Sequence, residues 1–176
     1  MNRTVKIALS GIICALTVAV IMLSGVITVG TFALPALAGL PLIIVVNECG
    51  IKHSVASYFI SALFAFLFAP DKETALYYVM FFGYYPIVKC LAERIKNRLA
   101  HWAIKFAVFN AAMISAFFIS LFVLSVPKDS FTVFGYYVPY LFLIVGNFVF
   151  FLYDFALSSM IVMYVRKWRK RIIKKW

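Results

Sequence analysis

The chain has 176 residues, of which 65% are hydrophobic and 13% charged, with a mean hydropathy of +1.02. Soluble domains run near half apolar and a quarter charged, so this composition excludes an ordinary soluble fold and reads as an all-α integral membrane protein. A net charge of +11 on a soluble protein would suggest nucleic acid, but here the charges sit between and after apolar runs, which argues for no nucleic-acid partner. The length suits one domain, residues 1–176, and leaves no room for a soluble catalytic domain.

The first apolar run, Ile7 to Thr28, is uncharged over twenty-two residues, enough to cross a hydrocarbon core of roughly 30 Å. Arg3 and Lys6 precede it, and Ala36-Leu37-Ala38 is a possible signal-peptidase site. The run is longer than a signal core and the site lies far beyond it, so the segment is read as a mature helix. Gly11, Ala15 and Ala19 recur every four residues on one face, with Ala8 three before Gly11. Small residues at that spacing admit a second helix closely, which is how helices associate in lipid. The face serves either an internal seam or an external partner.

Val29-Gly30-Thr31 reads as a tight link. A second helix, Phe32 to Cys49, contains Pro35, Gly39 and Pro41 and is expected to bend, because proline removes a backbone donor. Gly50 to His53 reads as a turn and Ser54 to Ala69 as the third helix. Pro70-Asp71-Lys72-Glu73 separates it from the fourth, Thr74 to Ile95. The fifth covers Ala103 to Val126 and stops at Pro127. A polar link, Lys128 to Thr132, leads to the sixth, Tyr137 to Val165, and a basic tail at 166–176 closes the chain.

Six spans with both termini in the cytoplasm put fifteen Lys and Arg inside and only Lys72 and Lys128 outside, as the positive-inside rule requires. Trp102, Trp168 and Trp176 fall at the basic side and Tyr136 and Tyr137 at the other, as interfacial anchors. The tail also suits contact with anionic membrane lipid.

Catalytic patterns are missing: there is no H-E-x-x-H, G-x-S-x-G or Walker loop. The chain is read as a non-enzyme without cofactor or metal. Cys14, Cys49 and Cys90 read as small buried hydrophobes, and His53 and His101 as solvated or interfacial groups. Polar groups inside spans are costly and therefore candidates for function. Asn147, Asp154 and Ser158 share a face of the sixth helix, and Thr74, Tyr78, Phe82, Tyr85 and Lys89 share one of the fourth. The aromatic run YYVMFFGYYP around Gly83 and Pro86 reads either as packing or as the wall of a small-molecule pocket. Lys89 and Asp154 fall at similar depth, with Glu48 nearby, and are expected to form a buried ion pair, structural before proton-relaying. Asn110 and Ser115 are expected to bond across helices.

With Ala15-Leu16-Thr17-Val18-Ala19 extended by Gly11, a short first outer link, a proline-broken second helix and a polar last helix ending in a basic tail, the chain resembles the substrate-binding S component of an energy-coupling factor transporter. That family's A-x-x-x-A motif docks on a transmembrane coupling subunit that works with two ATPases. The resemblance implies a bacterial plasma-membrane, multi-pass protein that captures a vitamin or related micronutrient. It also implies a pocket that opens outward, near Thr31, Tyr78, Phe82, Tyr85 and Asn147, with Asp154 too deep to touch the ligand. An MreD-like membrane scaffold of cell-shape machinery is the alternative reading, of similar size and span number.

Overall fold

The structure, a computed structural model, describes residues 2–27, 31–125, 132–133, 136–137 and 139–168. The Val29-Gly30 link, the stop at Pro127, residues 128–131 of the polar link and the tail beyond 168 lie outside the described residues.

The described chain is helical apart from one short ladder. Helix α1 is Arg3–Met22, α2 Ala33–Gly39, α3 Leu42–Cys49, α4 Ile51–Phe68, α5 Lys72–Tyr77, α6 Tyr85–Ala92, α7 Arg98–Phe122 and α8 Pro139–Met163. Strands β1 (Thr132–Val133) and β2 (Tyr136–Tyr137) pair antiparallel. Among the described residues, five helices are long and apolar enough to cross a membrane: Arg3–Gly25, Ile51–Phe68, Lys72–Ala92, Arg98–Phe122 and Tyr140–Lys167. The sixth apolar segment, Ala33–Cys49, is shorter.

Contacts fix the course of the first helices. At one end Asp71 N–H donates to Ser24 Oγ at 3.4 Å, joining the end of α1 to the start of α5. At the other, Cys49 Sγ lies 3.7 Å from the Lys6 carbonyl it faces, so α2 and α3 run back along α1. Helix α4 then rises parallel to α1, with Cys14 S–H directed at the Ser57 carbonyl at 3.3 Å.

Several boundaries differ from the sequence reading for identifiable reasons. Gly50 alone makes the turn expected over 50–53: its φ of 83° is open to glycine at little cost, and α4 resumes at Ile51. Asp71 accepts from Glu73 N–H at 3.0 Å and Thr74 N–H at 3.2 Å, so α5 starts at Lys72 rather than Thr74. Asn97 caps α7 in the same way, from Leu99 N–H at 3.0 Å, and the helix begins at Arg98, well before Ala103.

The bend expected in the second helix is a break between α2 and α3. Neighbours take up carbonyls beside it. Thr17 O–H donates to Ala38 O at 3.1 Å and Tyr153 O–H to Ala36 O at 3.3 Å, the condition under which a broken helix survives in lipid. The segment Lys72–Ala92 is also interrupted. Tyr78–Phe82 is a π-helical turn, closed by Gly83 N–H on Tyr78 O at 2.8 Å. Pro86 offers no N–H to the Phe82 carbonyl four residues earlier. That carbonyl instead lies against Gly39, where an added Cβ would stand 2.3 Å from the oxygen. Two irregular segments thus meet at their irregularities.

The core is aromatic. Phe81 touches the rings of Phe82, Tyr84, Tyr85, Phe109 and Phe150, and Phe109 stacks on Phe150 at 4.7 Å. Edge-to-face pairs dominate, the geometry the ring quadrupole favours.

Candidate functional site

Three polar features lie within or beside this core. The first is an ionic cluster built by three helices. Tyr85, Lys89 and Glu93 are four apart, on one side of α6 and its terminal turn. Lys105 comes from α7, and Asp154 and Ser158 from α8. Lys89 Nζ donates to Asp154 Oδ1 at 2.7 Å and Ser158 Oγ at 2.8 Å and pairs with Glu93 Oε1 at 2.7 Å. Lys105 Nζ reaches Glu93 Oε1 at 2.9 Å and both Asp154 oxygens at 3.1 Å. Tyr85 O–H donates to Asp154 Oδ1. Ser158 O–H turns back to the Asp154 carbonyl at 3.0 Å.

Lys89, Lys105 and Asp154 are almost fully buried at 0%, 1% and 3% exposure. Two cations face two anions, so the cluster is neutral, as a charge group removed from water must nearly be. Glu93 is the exception in exposure, with 42% of its side chain accessible. Burial raises its carboxyl pKa and is the largest single influence. The ammoniums of Lys89 and Lys105 together outweigh burial and hold the carboxyl below its ordinary value of 4.5.

The expected Lys89 and Asp154 therefore stand in direct contact, and the cluster is twice the size the sequence suggested. Lys105, near the start of the fifth segment, counted only among the cytoplasmic basic charges, and Glu93, within the fourth, was not singled out. The signal for Lys105 is Asn97, a capping residue that starts α7 early enough to carry Lys105 well into the helix.

The second feature is the set of residues assigned to a ligand. Tyr78, Phe82 and Tyr85 are buried at 0%, 9% and 0% exposure, in the aromatic core. The Tyr78 hydroxyl is 2.7 Å from Ser61 Oγ, and the Phe82 ring meets Tyr153 edge-on at 5.2 Å. Tyr85 serves the ionic cluster. Asn147 exchanges two amide hydrogen bonds with Asn110, both 2.9 Å, so α7 and α8 are tied there as expected. Ser115 is not such a tie: its hydroxyl donates to Ala111 O of its own helix at 2.8 Å. Thr31 is half-buried at the entrance to α2, beside Phe32, whose ring lies 4.5 Å from that of Tyr77. Tyr78, Phe82 and Tyr85 are thus core residues and Asn147 is committed to Asn110.

The third feature is the small-residue face of α1. Ile13, Cys14, Thr17 and Ile21 turn inward, whereas Ala8, Gly11, Ala15 and Ala19 are exposed. A Cβ on Gly11 would meet nothing within 4 Å. With Ile7, Ser10 and Met22 of α1 and His53, Ser57 and Phe64 of α4, Gly11, Ala15 and Ala19 line an open groove of about 690 Å³. The face is thus a surface, and the internal seam of α1 is the opposite one. Among the described residues no group of three His, Cys, Asp or Glu side chains could hold a metal ion.

Compared with protein-family models, with curated proteins and with solved structures, the chain matches none.

Proposed function

We propose that the protein is the substrate-capture membrane subunit of an energy-coupling factor importer, taking a vitamin or related micronutrient and docking on a coupling subunit served by two ATPases. The observation that carries this reading is the outward face of Gly11, Ala15 and Ala19 over the α1–α4 groove. In lipid, close approach of backbones supplies the contact energy that apolar burial cannot. A small-residue stripe kept clear of the protein's own helices suits a foreign helix. On this reading Ala33–Cys49 is a sixth, interrupted crossing, and both termini lie in the cytoplasm of a bacterium. The ligand reaches Thr31, Tyr78, Phe82, Tyr85 and Asn147 from the outer end.

Reconstitution of the full chain with a coupling subunit and its ATPases tests it: stable association and retention of a small ligand are expected, and failure of both ends the proposal. One observation favours the scaffold reading. Tyr78, Phe82, Tyr85 and Asn147 already satisfy one another or their neighbours, as a protein without a ligand would have them. An MreD-like scaffold would recover cell-wall proteins in place of a transport module.

A further inference from the structure

The ionic cluster is closed on three sides and open on one. Lys89 and Lys105 are almost fully buried, and Asp154 with them. Their fourth member, Glu93, is 42% accessible and sits just past α6, in the turn before Asn97. One oxygen, Glu93 Oε1, receives both ammoniums, at 2.7 Å and 2.9 Å. Without it, two buried cations would share the single charge of Asp154, leaving one positive charge at the rim.

The rim itself draws anions. Arg94, Lys96 and Arg98, which follow Glu93 in the chain, are exposed, and basic groups clustered at a membrane surface concentrate anionic species. The flank beside Lys105 is apolar. Lys105 Nζ lies 5.0 Å from the Trp102 ring centroid, and Trp102 stacks on Phe151 at 5.4 Å. Phe151 is 47% exposed on the outer side of α8. Paired ammoniums beside an aromatic wall that continues onto the apolar surface match a singly charged phosphodiester carrying acyl chains. A free phosphate would use the ammoniums alone.

We propose that Lys89 and Lys105 form a binding site for the phosphodiester headgroup of an anionic phospholipid, and that Glu93 occupies it until the lipid displaces it. The exchange conserves charge: a phosphodiester of charge −1 replaces a carboxylate of charge −1, and the released Glu93 turns toward Arg94, Lys96 and Arg98. The proposal stands independently of the transporter reading.

The test titrates phosphatidylglycerol into the delipidated full-length protein and reads bound lipid by native mass spectrometry. E93Q removes the resident anion and is expected to bind at least about tenfold more tightly than the parent, since a unit charge at contact distance is worth that much at a protein surface. E93Q/K105Q restores neutrality and is expected to erase the gain, which separates lost competition from general loosening of the fold. Equal affinity of E93Q and parent would overturn the proposal, as would a gain that survives in E93Q/K105Q. Glycerol phosphate is the second arm. Failure to compete assigns the site to lipid; competition as effective as the lipid's would overturn the lipid assignment.

Discussion

Asp154 is the residue on which most of the buried polar structure converges. It receives two ammoniums and a phenol. Asp154→Asn keeps the shape and removes the charge, leaving two buried cations against Glu93 alone. Breaking a buried charge group in this way costs about 3–5 kcal/mol, measurable as a fall in thermal stability in detergent. The double change Lys89→Met with Asp154→Leu leaves Lys105 paired to Glu93 and is expected to recover most of that loss. Were the double variant as unstable as Asp154→Asn, the cost would lie in packing and not in charge. Glu93 adds a pH dependence. Its carboxyl is held below 4.5 in the folded protein. A depressed folded value gives stability that is fully present above the unfolded value, about 4.3, and is lost as pH falls through the folded one. The difference in melting temperature between parent and E93Q should therefore be constant above about pH 5 and shrink below about pH 4. Shrinkage near neutrality would contradict the pairing.

At the scale of elements, the contact between two interrupted helices matters most. Gly39 admits the Phe82 carbonyl that Pro86 leaves without a donor, at a distance no side chain allows. Gly39→Ala must push α2 off the π-helical turn and is expected to cost about 1–3 kcal/mol, the usual range for overpacking. Gly11→Ala is the control: it meets open space and should leave stability unchanged or slightly raised, as alanine does within a helix. Equal losses in the two variants, read by chemical or thermal unfolding, would contradict the contact. The sequence shows why such features are only partly legible. Pro35, Gly39 and Pro41 announce a break in the second helix, and the break is there. Nothing in YYVMFFGYYP distinguishes a π-helical turn from an ordinary one, because its partners lie on other segments: Gly39 against the Phe82 carbonyl, and Tyr58 of α4, whose O–H donates to the Val79 carbonyl at 2.7 Å. Apolar runs located the helical segments, while the caps Asp71 and Asn97 set the starts of two of them. Lys105 lay inside the fifth helix on the sequence reading too, but close to its start, and was counted only among the basic charges of the cytoplasmic side.

For the molecule as a whole, charge is divided between ends. The end bearing Lys6, Lys52, Arg94, Lys96 and Arg98 is basic, and the end bearing Asp71 and Glu73 is not. With six crossings, reporter fusions at Asp71 and at Trp176 should report opposite sides of the membrane, Trp176 inside. Fusions at Asn2 and at Trp176 should report the same, cytoplasmic side, and opposite sides for these two would remove the crossing at Ala33–Cys49. The aromatic residues of the fourth apolar run were legible as a cluster, but their purpose was not. Pocket walls and packed cores use the same residue types, and only the position of partners such as Phe109, Phe150 and Tyr153 separates the two. The small face of α1 was legible as a stripe, yet its direction depended on where α2, α3 and α4 lie, since the same spacing serves an inner seam or an outer surface.

The central claim is that this outer face of α1 receives a partner helix. The full-length protein, tagged and drawn from its native membrane, should bring with it a coupling membrane subunit and a pair of ATPases, identified by mass spectrometry. Ala15→Leu or Ala19→Leu should abolish that recovery while leaving the protein folded. Recovery of cell-wall synthesis proteins, or the same partners from parent and variants alike, would contradict it.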